Sequence, residues 1–236
     1  MDSWLRWRAQ LPGTRTRGGT RGKDPVSRYT HILFDHDGVL VDTEPLYFRA
    51  TQQALADLEV DLELDDYLQL QAHGANAWER ASDRGASDEE IAAGRAARNR
   101  RYQELLLTED IDIHGVEGLL DRLSATHTLA IVTTAKPDDF ALIHRSRDIV
   151  RHMDLILTNG DYPRSKPHPD PYLEALNRFG IEASAALVVE DSERGLRAAV
   201  AAGIDCAVVH HPFTAPQDFS AATYRLKTLG DLLSLL

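Results

Sequence analysis

The sequence predicts an α/β protein: a parallel β-sheet with helices on both faces, and a small all-helical segment inserted after the first strand. Apolar runs such as residues 32–34 show no polar alternation, which is typical of strands buried on both sides. From Gly115 onward such runs alternate with helical periodicity, the pattern of a parallel sheet covered by helices. Acidic residues follow two of the runs, at the strand ends where open α/β sheets bind ligands.

Between the first strand and Gly115 the sequence has helical character. Three helices are predicted there: one with Tyr47, Ala50, Ala54 and Leu58 on a single face, one over residues 65–71, and one opened by the capping-box residues Ser87 and Glu90 and ending near Leu107. We therefore predict a helical domain over residues 46–114, inserted into a core made of residues 28–45 and 115–236.

The elements of the core follow in order. The predicted set is a helix with Val116, Leu119, Leu120 and Leu123 on one face, a strand over 128–134, a helix from Pro137, a strand over 155–158, a helix from Pro171 to Gly180, a strand over 186–191, a helix over 192–202, a strand over 206–210 and a C-terminal helix over 229–236. Gly180 and Gly203 are placed to end their helices.

Composition and charge exclude several classes of protein. With 236 residues, 43% of them apolar, the chain can form one packed core with a smaller insertion. The formal charge is −11, and −16 outside residues 1–28, which argues against a phosphate-backbone footprint. No stretch reaches the roughly 18 apolar residues that cross a bilayer. We expect a monomer or weak homodimer with neither a nucleic-acid nor a membrane partner.

The first 27 residues and the single cysteine bear on the setting of the protein. Residues 1–27 are rich in Gly and Arg and have no hydrophobic period, so we expect a disordered N-terminal extension. Cys206 lies in an apolar run that predicts burial, and it has no second cysteine with which to form an internal disulfide. A reducing, cytoplasmic location is the resulting expectation.

Two carboxylates follow the first strand. Asp35 and Asp37 are two residues apart, so in extended chain both side chains face the same side. Their mutual repulsion is costly without a cation or a shared proton. The pair therefore indicates a Mg²⁺ site, acid/base chemistry, or both, although Asp and Gly38 are also common turn residues.

Three other strand ends or loops carry candidate polar groups. Thr133 ends a strand, where its hydroxyl and the following N–H groups, with Thr134 next, can donate to phosphate oxygens. Lys166 lies in the loop Ser-Lys-Pro-His-Pro-Asp-Pro, which is stiffened by its prolines. Glu190 and Asp191 end another buried strand, and such hard oxygen ligands suit Mg²⁺. Asp191 or Ser192 can at the same time cap the next helix.

These four motifs, in this order, resemble those of the haloacid dehalogenase-like (HAD) superfamily, in its phosphatase and β-phosphoglucomutase-like branch. The resemblance implies a Rossmann-like core with a helical cap over residues 46–114. It implies that Asp35 is a nucleophile, that Asp37 is a general acid and base, and that Thr133, Thr134 and Lys166 bind phosphate. It also implies a Mg²⁺ ion bound by Asp35, the Asp37 carbonyl and Asp191, with Glu190 as an alternative ligand.

The resulting functional expectation is a Mg²⁺-dependent phosphatase that acts on a small phosphorylated metabolite, such as a sugar phosphate or a phosphoglycolate-like molecule, through an aspartyl-phosphate. A β-phosphoglucomutase-like phosphomutase is an alternative, and a catalytically silent binding protein is a second one. The loop at residues 72–78 lacks the arginine by which mutases of this branch hold the distal phosphate, although Arg80 or Arg84 can substitute.

His36 departs from the resemblance, because an apolar residue is usual between the two acids. We expect its side chain to point away from them and to be neutral to the chemistry.

Overall fold

The structure is a computed structural model that describes residues 28–236, so the predicted extension over residues 1–27 lies outside the described residues. Within these residues, six strands form one parallel sheet in the order β3-β2-β1-β4-β5-β6. The strands are β1 His31–Phe34, β2 Thr128–Val132, β3 Leu155–Leu157, β4 Ala186–Glu190, β5 Asp205–Val209 and β6 Tyr224–Leu226. The predicted α/β class with a parallel sheet is confirmed.

Strand β1 is central because its apolar residues can be buried on both sides. It pairs with β2 on one edge and with β4 on the other, so that Phe34 lies opposite both Ile131 and Val189. The three residues 32–34 are fully buried. As a result, the chain that leaves β1, β2 and β4 emerges at one edge of the sheet, within reach of a common site.

Nine α-helices accompany the sheet in the described part of the chain. They are α1 Glu44–Ala56, α2 Leu64–Ala72, α3 Glu79–Asp83, α4 Asp88–Thr108, α5 Val116–Ser124, α6 Pro137–Ile143, α7 Asp170–Phe179, α8 Glu193–Ala201 and α9 Leu232–Leu235. Separate apolar clusters fill the two faces of the sheet, one around Phe34 and Leu120 and the other around Leu33 and Tyr172. The sheet is therefore covered by packed side chains on both faces.

Helices α1 to α4 lie between β1 and β2 and have an apolar cluster of their own. Phe48, Leu55, Tyr67 and Trp78 are among its buried members. Helix α4 begins at the predicted capping box, in which the Ser87 hydroxyl accepts from the backbone N–H of residue 90 and the carboxylate of residue 90 accepts from the backbone N–H of residue 87. These helices agree with a helical insertion, and its bounds at residues 46 and 114 remain a prediction.

The sequence does not predict two short elements, β6 and α3, and it predicts a C-terminal helix that is longer than the one in the structure. Strand β6 has only three residues, none fully buried, and α3 has five, so neither gives a periodic signal. The predicted C-terminal helix over 229–236 is instead a 3₁₀ turn at Leu229–Asp231 followed by α9. Cys206 is buried in β5, as predicted. Among residues 28–236, no helix combines the length and the apolar character that crossing a membrane requires.

Candidate active site

The turn after β1 places two carboxylates at the edge of the sheet. The backbone N–H of Asp35 donates to the Val189 carbonyl at 2.8 Å, which extends the strand pairing by one residue. The chain then turns at Gly38, whose φ of 78° is a left-handed conformation that favours glycine. A Cβ on Gly38 would lie 2.2 Å from Oδ2 of Asp191, so only glycine allows the end of β4 to come this close.

Lys166 joins the first strand to the fourth. Its ammonium donates at 2.7 Å to Asp35 Oδ1 and at 2.7 Å to Glu190 Oε1, and at 2.8 Å to the Val132 carbonyl. The side chain is buried. Burial alone would lower the pKa of Lys166, but the two carboxylates outweigh it and raise the pKa, which keeps the ammonium charged.

Every oxygen of Glu190 has hydrogen-bond donors. Oε1 accepts from Lys166 and from the Tyr172 hydroxyl, each at 2.7 Å. Oε2 accepts from the Ser192 hydroxyl at 3.0 Å and from the backbone N–H groups of Asp191 and Ser192 at 3.2 and 3.3 Å. Burial would raise the pKa of Glu190, but Lys166 and these bonds lower it. Glu190 is thus a buried carboxylate that holds the lysine.

Asp35, Glu190 and Asp191 form an acidic cluster whose ligand atoms lie within 4.8 Å of one another. Burial and the Glu190 charge raise the pKa of Asp35 to about 6, although Lys166 opposes them. Burial, Glu190 and Asp35 raise the pKa of Asp191 well above its usual range. The three carboxylates repel one another, and they offer only hard oxygen donors. Such a cluster fits a site for Mg²⁺.

Asp37 is held by donors on both oxygens. Oδ1 accepts from the Thr43 hydroxyl at 2.5 Å, and Oδ2 accepts from the Thr133 hydroxyl at 3.3 Å. His36 Nδ1 also lies 3.3 Å from Oδ2. Burial would raise the pKa of Asp37, but His36 and these hydrogen bonds outweigh it and lower the pKa to about 2. Asp37 is therefore a carboxylate in this arrangement.

The prediction that His36 points away from the acids is wrong. Its ring is fully buried and contacts Asp37 on one side and His144 on the other, where the two Nε2 atoms lie 2.9 Å apart. The alternation of side chains that predicted the opposite direction applies to extended chain, and the chain has left β1 before residue 36.

The two threonines predicted to bind phosphate lie at the end of β2. Thr133 is buried, and its hydroxyl accepts from the Ala135 N–H at 3.0 Å while donating to Asp37. Thr134 lines the cavity beside Asp35 and Asp37. The structure therefore brings the ends of β1, β2 and β4 and the Lys166 loop together, as the motifs predicted.

A cavity of about 810 Å³ opens over these residues, between the sheet edge and the inserted helices. Its charged lining, partly missed by the sequence reasoning, comprises Asp35, Asp37, Glu44, Asp139, Asp191, Glu193, Lys136, Arg98, Arg194 and Arg197. The missed Arg98 projects from α4 and lies over the Tyr47 ring, 4.4 Å from its centroid. Arg98 and Tyr102 are four residues apart and therefore lie on the same face of the helix, and both line the cavity. This spacing is the signal in the sequence that could have indicated Arg98.

Arg80 and Arg84, the possible substitutes for the arginine missing from the loop at residues 72–78, bind other groups. Arg80 forms an ion pair with Asp66 at 2.9 Å, and Arg84 donates to the backbone carbonyl of Glu59.

Glu44 is the remaining unusual group of the cavity. Burial and the nearby Asp37 raise its pKa to about 7, although Arg194 opposes them.

Comparison with known proteins agrees with this geometry. Residues 32–209 match the family model described as haloacid dehalogenase-like hydrolase. Protein CbbY of Rhodobacter capsulatus is 32% identical over 211 residues, which cover 84% of this chain and 93% of that protein. Pyrophosphatase PpaX of Bacillus velezensis is 31% identical over 214 residues, covering 88% of this chain and 96% of that protein.

A solved structure of a related protein has the same fold. The crystal structure of a CbbY variant from Rhodobacter sphaeroides, in complex with xylulose-(1,5)bisphosphate, superposes with a TM-score of 0.73 at 28% identity, covering 88% of this chain and 99% of that chain. The chain belongs to the haloacid dehalogenase-like hydrolase family, which confirms the family predicted from the four motifs.

Proposed function

We propose that this haloacid dehalogenase-like hydrolase is a Mg²⁺-dependent phosphatase that hydrolyses a small phosphorylated metabolite through an aspartyl-phosphate on Asp35. The observation that carries the proposal is the buried Lys166 ammonium, 2.7 Å from Asp35 and fixed from behind by Glu190. A cation held there neutralises the attacking carboxylate and a transferring phosphoryl group. A phosphorylated substrate is supported by the bisphosphate bound to a CbbY relative and by the pyrophosphatase PpaX, but these relatives do not identify the substrate of this chain.

Asp35 is the proposed nucleophile. Because its pKa is about 6, it is ionised at neutral pH. One carboxylate oxygen attacks phosphorus, the ester P–O bond breaks, and the phosphoryl group is left on Asp35. Lys166 and the Thr133 and Thr134 region bind the phosphoryl oxygens during this step.

Asp37 is the proposed general acid and base. It gives a proton to the departing alkoxide, and then takes one from the water that attacks the aspartyl-phosphate and releases inorganic phosphate. Its present carboxylate form suits the second step. To serve as the acid, it has to gain a proton and release one of the donors that now occupy both oxygens, of which Thr43 is the nearest.

Asp35, the backbone carbonyl of Asp37 and Asp191 would hold Mg²⁺. Glu190, the fourth predicted ligand, is less suited because Lys166, Tyr172 and Ser192 already occupy its oxygens. When bound, Mg²⁺ neutralises negative charge on the phosphoryl oxygens and the nucleophile.

A phosphomutase is the second candidate, and one observation favours it. Arg98, Lys136 and Arg194 line the same cavity and can hold a second phosphate, which the cap loop at residues 72–78 cannot. Hydrolase and mutase differ in the product formed from β-glucose 1-phosphate with and without a sugar bisphosphate. The hydrolase releases inorganic phosphate without stimulation, whereas the mutase forms glucose 6-phosphate without phosphate release.

The main test is phosphate release from a panel of phosphorylated metabolites by the wild type and Asp35→Asn, with Mg²⁺ and with excess chelator. We expect turnover only for the wild type with Mg²⁺, because an amide is neither an anionic nucleophile nor a good Mg²⁺ ligand. Asp138→Asn, which changes an exposed aspartate of α6, is the matched control. Asp35→Asn activity above a few per cent of wild type would contradict the aspartyl-phosphate.

A further inference from the structure

A buried pair of histidines lies behind the acid and base of the site. His36 and His144 are 0% and 5% exposed, and neither lines the cavity. Their rings lie 5.0 Å apart between centroids and both pack against Phe140, at 4.8 and 4.4 Å. The pair joins the turn after β1 to the end of α6, and nothing in the proposed chemistry uses it.

The partners of the pair fix where its protons are. An ionised carboxylate only accepts hydrogen bonds, so the contact with Asp37 Oδ2 requires that His36 Nδ1 carries the proton. One of the two Nε2 atoms then carries a proton and donates to the other across 2.9 Å. The two rings thus form a hydrogen-bonded chain that runs from His144 through His36 to Asp37.

We propose that His36, held by His144, is a positioning residue for the Asp37 carboxylate. The Thr43 hydroxyl fixes Oδ1 alone, and Oδ2 has two side-chain partners, the Thr133 hydroxyl and His36 Nδ1, each at 3.3 Å. The rigid, fully buried imidazole is the second donor to Oδ2, and it restricts rotation of the carboxylate. This inference rests on the proposed function, because it assumes that Asp37 transfers protons.

A positioning role for Asp37 has a kinetic signature that a general loss of structure lacks. A nitrophenolate leaves without a proton, so attack by Asp35 on 4-nitrophenyl phosphate does not need a well-placed Asp37. A benzyl alkoxide needs one, so benzyl phosphate does. Because kcat/KM reports the steps up to the departure of the leaving group, the ratio of the two kcat/KM values isolates the first proton transfer.

The experiment compares this ratio among wild type, His36→Leu and His36→Asn. We expect His36→Leu to lower kcat/KM for benzyl phosphate about tenfold, as for loss of one hydrogen bond to a charged group, and to leave that for 4-nitrophenyl phosphate within about twofold. Asn places an N–H near the Nδ1 position, so His36→Asn restores most of the ratio. An unchanged ratio in His36→Leu, or no rescue by Asn, overturns the proposal.

The role of His144 is tested by His144→Leu and the double variant. If His144 acts only through His36, the ratio shifts in the same direction in His144→Leu, and the double variant is no worse than His36→Leu. Independent, multiplying effects overturn the part assigned to His144. His152→Leu, at a buried histidine of the 3₁₀ turn Ile149–His152, is the matched control and keeps the wild-type ratio.

Two readouts separate failure of this inference from other failures. Thermal midpoints and the unchanged 4-nitrophenyl phosphate reaction show that each variant is folded with a working Asp35. A wild type that releases phosphate from neither probe and from no metabolite of the panel contradicts the proposed function itself, whereas an active wild type with an unchanged ratio in His36→Leu contradicts only the positioning role.

Discussion

The two walls of the cavity are built in different ways. Behind the sheet-side wall, which Asp35 and Asp191 line, Lys166 lies between two carboxylates at 2.7 Å, and Glu190 is hydrogen-bonded on both oxygens. On the helical side, Arg98 is held by neutral partners, the Tyr47 hydroxyl and ring and the side chain of Asn99. It makes no ion pair within residues 28–236.

This difference separates chemistry from selectivity. Buried charges on the sheet side are fixed because each would be costly to leave unpaired. A half-buried arginine on neutral partners keeps its charge free for an anionic ligand. We therefore expect loss of a paired charge on the sheet side, such as Lys166, to abolish turnover and to destabilise the fold, and changes on the helical side to alter substrate affinity alone.

The largest expected effect is that of Lys166→Met. The change leaves Asp35 and Glu190 facing one another without a cation, so we expect the free energy of unfolding to fall by about 3–5 kcal/mol and turnover to fall at least about 10³-fold. Denaturant unfolding and phosphate release measure the two effects. Arg178→Met breaks an exposed ion pair with Glu174 and should cost about 0.5 kcal/mol or less. An equal loss of unfolding free energy in the two variants would contradict the difference between the buried and the exposed charges.

The next effect is that of Asp191→Asn, which should act in opposite directions with and without metal. Because burial and its neighbours raise the pKa of Asp191, its charge destabilises the metal-free fold at neutral pH, and the amide should raise the thermal midpoint of that form. The same change should weaken Mg²⁺ binding at least about tenfold, measured by titration calorimetry, because a neutral amide oxygen replaces an anionic ligand. A lower midpoint in chelator, or unchanged Mg²⁺ affinity, would contradict the assignment.

On the helical side, Arg98→Met should raise KM about tenfold and change kcat little, because a charge-assisted contact with bound substrate is lost while the reacting groups are untouched. The free energy of unfolding should stay within about 0.5 kcal/mol. Arg100→Met, an exposed arginine two residues away on α4, is the control. A fall in kcat as large as the rise in KM would place Arg98 with the chemistry and would break the comparison.

The same contrast explains what the sequence could predict. Asp35, Lys166 and Asp191 follow apolar strands or stand in a proline-stiffened loop, and parallel strand ends must converge at one edge, so local patterns sufficed. The fold class followed from the same patterns. The inserted helices gave a weaker signal, because α4 is charged all round and its cavity face is marked by Arg98 and Tyr102 rather than by apolar residues.

The histidine pair could not be predicted at all. His36 and His144 are 108 residues apart, and only the packing of α6 against the turn after β1 brings them together. A single sequence contains no periodic or motif signal for such a contact. The expected direction of His36 came from the geometry of a strand that had already ended.

The smallest expected effect is at Glu44, where the two walls meet. Burial and Asp37 raise its pKa from 4.5 to about 7, so between these pH values the folded protein keeps a proton that the unfolded chain has lost. The contribution of Glu44 to stability is therefore largest at low pH and falls as pH rises through this window. Relative to Glu44→Gln, the metal-free wild type should lose about 1 kcal/mol between pH 4.5 and 7, a value discounted for solvent in the cavity. Urea unfolding at several pH values measures the difference, with Glu79→Gln as the exposed control. A difference that grows in favour of the wild type as pH rises would mean that Glu44 is stabilised as a carboxylate and belongs with the fixed charges of the sheet side.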